Sequence, residues 1–233
     1  MPFNKYKVGE WDVAAARQLA LHSQAAYSTT AYRCERILAG SHSVDIATFD
    51  RDCVIAFRGT DDAADVLTDI DVARVKQWGC LIHRGFSGAE KLLNMQIAQV
   101  LPEAERYWIT GHSLGGALAT LFAVRLSDAR LNVAGLYTFG SPRVGCRCFA
   151  QHADHVLEGR HYRIVHGNDI VPRVPRPIRF RHCGQQVYLD RKGRAVLSPG
   201  MFSQFVDRVL GYRLDLVRDH FIDSYSQSLR GIA

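Results

Sequence analysis

Arg106-Tyr107-Trp108-Ile109-Thr110-Gly111-His112-Ser113-Leu114-Gly115-Gly116-Ala117 decides how this chain reads. The first five residues are strand-like, and a helix-like run rich in small residues continues from Ala117 to Leu126. A serine stands at the apex between them, flanked by Gly111 and Gly115. A strand-to-helix turn this sharp holds the serine in a strained backbone conformation, and side chains at positions 111 and 115 would collide there. Ser113 is therefore a nucleophile candidate. The pentad G-x-S-x-G is short, and its specificity comes from the buried strand before it and the helix after it.

Outward from this turn, strand and helix signals alternate. Towards the N-terminus lie a helix over Trp11 to Tyr27, strands over Ser43 to Phe49 and Cys53 to Phe57 joined by the turn Asp50-Arg51-Asp52, and a helix over Gly85 to Val100. Towards the C-terminus lie an apolar strand over Val133 to Phe139 and another strand over His161 to His166. The loop Gly167-Asn168-Asp169 follows, and the proline-rich Ile170 to Pro177 excludes a helix there. A hairpin over Gln185 to Asp190 and Ala195 to Ser198 turns at Arg191 to Gly193, and helices are expected over Pro199 to Leu210 and from about Asp219 to Leu229. Alternating strands and helices imply an α/β fold with a mostly parallel central sheet flanked by helices, and residues 1–233 read as one domain.

With 47% apolar and 22% charged residues, the chain is an ordinary globular one. It has no apolar run near the 18 or so residues of a membrane span. Arg17 interrupts the apolar stretch Ala14 to Ala20, which argues against a signal peptide, so a cytoplasmic location is the default expectation. On that footing Cys34, Cys53, Cys80, Cys146, Cys148 and Cys183 read as reduced thiols. The net charge of +6 is concentrated: between Arg173 and Arg194 seven basic residues face the single acid Asp190, which leaves the rest of the chain neutral. Only Phe180 and Tyr188 interrupt this stretch, so it lacks the interleaved aromatics of a nucleic-acid binder. It reads as a solvated face, with transient contact to an anionic lipid surface as the alternative.

A serine hydroxyl needs a histidine to take its proton and a carboxylate to hold that imidazole in the right tautomer. In an open parallel sheet such groups collect on loops beyond the carboxyl ends of strands, and Asp169 lies just after the strand His161 to His166. His220 opens the last predicted helix and is the base expected from the remaining chain. Of the other nine histidines, His112 adjoins the serine where the turn directs side chains elsewhere, and His83 and His166 end strands. Asp219 is beside His220, but adjacent residues on a helix do not face each other. Stabilising a developing oxyanion requires donors, and the backbone N–H of Leu114 at the helix start is one. Thr60, on the loop Arg58-Gly59-Thr60 after the strand Cys53 to Phe57, is positioned to supply the second through its N–H and hydroxyl.

With these residues in place the chain resembles the class 3 lipases, the small fungal triacylglycerol lipases and their bacterial relatives. The resemblance runs through Ala56-Phe57-Arg58-Gly59-Thr60, Ile82-His83-Arg84-Gly85-Phe86, the serine turn, Tyr137 to Gly145, Gly167 to Pro172, and His220 with Tyr225. It implies an α/β-hydrolase fold, a Ser113–Asp169–His220 triad, an oxyanion hole of Thr60 and Leu114, and hydrolysis of lipid or other carboxylic esters through an acyl-enzyme. No cofactor and no metal are implied. Family members that act at oil–water interfaces carry a lid after the oxyanion residue. Here the corresponding segment, 61–76, holds five aspartates and a modest apolar face of Val66, Leu67 and Ile70, which predicts limited interfacial activation.

Other readings stand beside this one. Met201, Phe202, Phe205 and Val209 line one face of the expected helix at 199–210, either as core packing or as an acyl groove. Cys146, Cys148, His152 and His155 form a possible zinc-ligand set, although structural sites more often draw ligand pairs from separated segments. Within esterases the alternatives are a phospholipase A1 or a short-chain carboxylesterase. A catalytically silent lipase-like binding module is the non-enzymatic one.

Overall fold

The computed structural model describes residues 3–28, 34–60, 73–190, 194–198 and 218–232. Strands β1 (Glu35–Ala39), β2 (His42–Phe49) and β3 (Asp52–Phe57) form an antiparallel meander. β6 (Arg106–His112), β7 (Val133–Phe139), β8 (His161–His166) and β9 (Gln185–Leu189) then add in parallel to β3, and β10 (Ala195–Leu197) closes the far edge antiparallel to β9. Among the described residues the sheet order is β1-β2-β3-β6-β7-β8-β9-β10. The expected mostly parallel centre is present, with antiparallel strands at both margins.

Helices cover both faces. α1 (Val13–Ala25) starts where the Asp12 carboxylate accepts hydrogen bonds from the backbone N–H groups of Ala14 and Ala15 at 2.8 and 3.1 Å. It packs with α5 (Ile222–Arg230) against Trp108, Tyr137, Phe139 and Tyr162 on one face. α2 (Arg84–Val100), α3 (Leu114–Asp128) and α4 (Arg147–Leu157) cover the other, against Ile55, Phe57, Ile109 and Leu136. This double cover explains why β3 and β7 are buried at every position rather than at alternate ones.

Two buried carboxylates brace these layers. Asp52 takes both Nε and Nη2 of Arg106 at 2.8 Å and the indole N–H of Trp108 at 3.1 Å. Glu90, fully buried on α2, takes Arg125 of α3 at 2.7 and 2.8 Å. Each acid is buried only because a forked guanidinium satisfies both of its oxygens.

The structure departs from the sequence reading in several places. β1 and the hairpin of β4 (Arg74–Gln77) and β5 (Cys80–His83) have no counterpart in it. Within the expected lid, Arg74 to Lys76 belong to that hairpin, and 61–72 lie outside the described residues, as do the expected helix at 199–210 and the turn at 191–193. The expectation of six reduced thiols is corrected: Cys80 and Cys148 are joined in a disulfide with Cα atoms 5.6 Å apart, leaving Cys34, Cys53, Cys146 and Cys183 free. That bond ties β5 to the first turn of α4, a pairing of cysteines 68 residues apart that spacing alone does not reveal. It also removes Cys148 from the supposed zinc set. The remaining positions of that stretch form an amphipathic helix whose buried side is Phe149, Ala150, Ala153 and Leu157.

Candidate active site

Ser113 follows β6 and precedes α3 with φ 56° and ψ −129°, a conformation that costs on the order of 1–3 kcal/mol for a non-glycine residue. Its N–H donates to the Phe139 carbonyl at 2.9 Å, and its own carbonyl accepts from Gly116 N–H at 2.9 Å, so the neighbouring strand and the new helix both hold the bend. The flanking glycines are required by contact. A Cβ at 111 would stand 2.3 Å from the Gly115 carbonyl oxygen, and one at 115 would stand 2.2 Å from the Phe57 oxygen and 2.9 Å from Gly59 N. Backbone cannot yield as a side-chain tip can. Gly115→Ala is therefore expected to destabilise the protein by about 3 kcal/mol or more, read as a drop in the urea midpoint. Gly88→Ala, at a helical glycine with nothing within 4 Å of the added carbon, is expected to stabilise it by up to about 1 kcal/mol.

Asp169 sits on the loop beyond β8, almost wholly buried, and its two carboxylate oxygens lie 3.0 and 2.9 Å from Nδ1 of His220. His220 ends a 3₁₀ turn, Arg218–His220, immediately before α5; it does not open that helix as the sequence suggested. Two further donors fix the carboxylate: the N–H of Val171 at 2.9 Å and the hydroxyl of Tyr225, one turn into α5. Room for this assembly comes from Gly140 at the end of β7, where a Cβ would stand 2.7 Å from Asp169 Oδ2 and 3.0 Å from His220 Nδ1.

The imidazole and the serine share one end of the sheet. The ring of His112, next to Ser113, lies against that of His220 with centroids 4.6 Å apart, and His112 Nε2 bonds the main-chain oxygen of residue 220. That carbonyl can only accept, so His112 carries its proton on Nε2 and its Nδ1 accepts from the Tyr27 hydroxyl at 2.8 Å. Burial holds His112 neutral, with a pKa well below its ordinary range, and the neighbouring His220 pushes the same way. His112 thus positions the backbone of residue 220 and is not free to serve as a base. The Oγ of Ser113 and the Nε2 of His220 are both buried, and neither has a hydrogen-bond partner among the described residues.

Other sequence-derived placements sort themselves by contact. Gly59 runs along the serine turn, where an added Cβ would be 3.2 Å from Ser113 Cβ, and Thr60 follows it, exposed, at the end of the described loop. Leu114 is the first residue of α3, with its N–H at the positive end of the helix. Asp219 turns from His220 and accepts from Asn168 N–H at 2.7 Å. His166 meets the Ser228 hydroxyl at 2.8 Å, and His83 caps α2 by accepting from Phe86 N–H at 3.3 Å. The roles of Tyr225 and Tyr27 were not legible beforehand, because each acts across the chain on a residue 56 or 85 positions away.

Comparison with known proteins follows the same lines. The chain is 34% identical over 151 residues to secreted mono- and diacylglycerol lipase 1 of Fusarium solani, covering 60% of this chain and 44% of that protein. It spans half or less of the length of the curated relatives it matches. Its fold superposes on Rhizomucor miehei triacylglyceride lipase with a TM-score of 0.69 at 23% identity, covering 89% of this chain and 91% of that one. On Lip2 lipase from Yarrowia lipolytica the TM-score is 0.64 at 25% identity, covering 76% and 78%. The lipase (class 3) family model matches residues 54–178, more than half of the 233 residues and including the serine turn and Asp169. The chain is a member of the class 3 lipase family.

Proposed function

We propose that this chain is a serine ester hydrolase acting on acylglycerols, with Ser113 as nucleophile, His220 as general base and acid, and Asp169 as the group that orients it. The observation that carries this reading is the Asp169–His220 pair, 2.9 Å apart, at the same end of the sheet as a strained serine. Because Nδ1 of His220 donates to Asp169, Nε2 is left as the acceptor, which is the atom a base must present to Ser113. The serine proton passes to Nε2 as Oγ attacks the ester carbonyl. Negative charge then grows on the carbonyl oxygen, where the N–H groups of Leu114 and Thr60 are the donors we assign. The imidazolium gives its proton to the departing alcohol, and a water activated by the same nitrogen releases the fatty acid and restores Ser113.

Acylglycerols are the substrate class because the relative from Fusarium solani is named a mono- and diacylglycerol lipase, and the Rhizomucor miehei fold neighbour a triacylglyceride lipase. The Cys80–Cys148 bond fits an oxidising compartment better than the cytoplasm, since disulfides persist in the former. The test is hydrolysis of a chain-length series of p-nitrophenyl esters alongside mono-, di- and triacylglycerols and a phospholipid, with an organophosphate probe to label the nucleophile. Turnover of acylglycerols with a single label on Ser113 is the expected result. Preferential attack on the phospholipid would move the substrate to phospholipase A1, and absence of both turnover and labelling would leave a silent binding module.

A further inference from the structure

Behind the loop that carries Asp169, the molecule buries positive charge with no carboxylate in ion-pair contact among the described residues; Asp154 acts on Arg163 only from a distance. Arg163 lies in the middle of β8, 7% exposed, beside Gln186 of β9. Its Nη2 donates to Gln186 Oε1 at 3.1 Å, its Nε is buried with no partner, and it forms no ion pair with a carboxylate among the described residues. Arg143, on the segment after β7, donates through Nη1 to the carbonyls of Arg173 and Pro175, again with no carboxylate. Both guanidinium groups and Arg173 border a cavity of about 100 Å³, which Asp169, His182 and Gln186 help to enclose. Burial pushes the Arg163 pKa down to about 10; Arg143 adds to the shift, and Cys183, Tyr225 and Asp154 oppose it.

A buried cation with no counter-charge costs several kcal/mol unless something polar meets it. The space is far above the roughly 10–15 Å³ that one water requires. Arg163 and Arg143 line it with Asp169 as the one carboxylate, and Asp169 is already held by His220, Tyr225 and Val171. A dianionic tetrahedral group suits this excess of charge, because forked guanidinium donors match its paired oxygens.

We propose that this cavity is a binding site for a phosphate-type oxyanion, held by Arg163 and Arg143 from behind the Asp169 loop. An occupant ties β8 to the segments 141–143 and 167–175, and so braces the loop that presents Asp169. The source of the phosphoryl group is either free phosphate or a phospholipid headgroup.

Titration calorimetry and thermal melts with inorganic phosphate, against sodium chloride at equal ionic strength, test the site. Wild-type protein should show one saturable site and a rise in Tm that chloride does not reproduce. Arg163→Gln should weaken phosphate at least tenfold. Gln186→Glu guards against misfolding, since its carboxylate takes the place of the amide oxygen that Arg163 already bonds; it should raise Tm without phosphate and abolish the phosphate response. Arg179→Gln, exposed and outside the cavity, should behave as wild type. An absent saturable site, an equal response in chloride, or an undiminished response in Gln186→Glu would overturn the proposal. Sedimentation with phosphatidylglycerol vesicles assigns the source: binding competed by phosphate and lost in Gln186→Glu identifies the headgroup, and binding indifferent to both identifies the free ion.

Discussion

Replacing Ser113 with alanine is expected to lower kcat on a monoacylglycerol or p-nitrophenyl ester by on the order of a millionfold, the scale at which other serine triads lose turnover when the nucleophile is removed. The loss arises because no other group stands at the bend. His112 is committed to Tyr27 and to the main chain of residue 220, and the backbone at 113 is shaped to project one side chain between Gly111 and Gly115. Folding should be unaffected, since Ser113 Oγ makes no hydrogen bond among the described residues and its removal strands no partner. Turnover by a sensitive fluorogenic assay, with a melt on the same preparation, checks both parts. A folded Ser113→Ala protein within tenfold of wild type would place the chemistry elsewhere.

Asp169→Asn should reduce kcat by about ten thousandfold, again with the fold retained. The number of donors around this carboxylate supplies the reason. His220 Nδ1, the Tyr225 hydroxyl and the Val171 N–H all approach it, so the site offers donors and needs acceptors. An asparagine replaces one acceptor oxygen with an NH₂ group. That group then faces a donor, and the least costly relief is to shift the imidazole proton from Nδ1 to Nε2, the tautomer that cannot take the serine proton. The substitution should thus depress kcat far more than it alters KM for a short ester. Equal activity in wild type and Asp169→Asn would remove the acid from the triad and leave the Asp169–His220 contact a structural one.

The strand, serine turn and helix from Arg106 to Asp128 were readable because their signals are local: an apolar run, two glycines around a serine, then small helix-forming residues. The same holds for the apolar run of β7, and the expected bounds of both β7 and β8 match the observed strands end to end. β1 escaped notice because it is an edge strand, only partly buried, with no clean alternation to mark it. α4 mixes a cysteine and histidines with Phe149, Ala153 and Leu157, so the spacing of its buried side stands out poorly in the sequence. Cysteine state follows neither from spacing nor from an expected compartment, because the Cys80–Cys148 bond depends on β5 and α4 being neighbours in space.

The order of residues determined that a serine would be pinned at a glycine-flanked bend and that an acid and a histidine would follow it along the chain, because bends, strands and helices are set by neighbours a few positions apart. The choice of Asp169 over the adjacent Asp219 was already favoured by its place after a strand, and the folded sheet supplies the contact itself, His220 on Asp169 51 positions away with Asp219 turned to Asn168. Only the folded sheet decided that Tyr225 and Tyr27 support the two histidines' surroundings, that Cys80 finds Cys148, and that Arg163 is buried with no carboxylate in ion-pair contact among the described residues. Such contacts depend on which strand lies beside which and on what their ends bring together. That is a property of packing, and no short stretch of sequence encodes it.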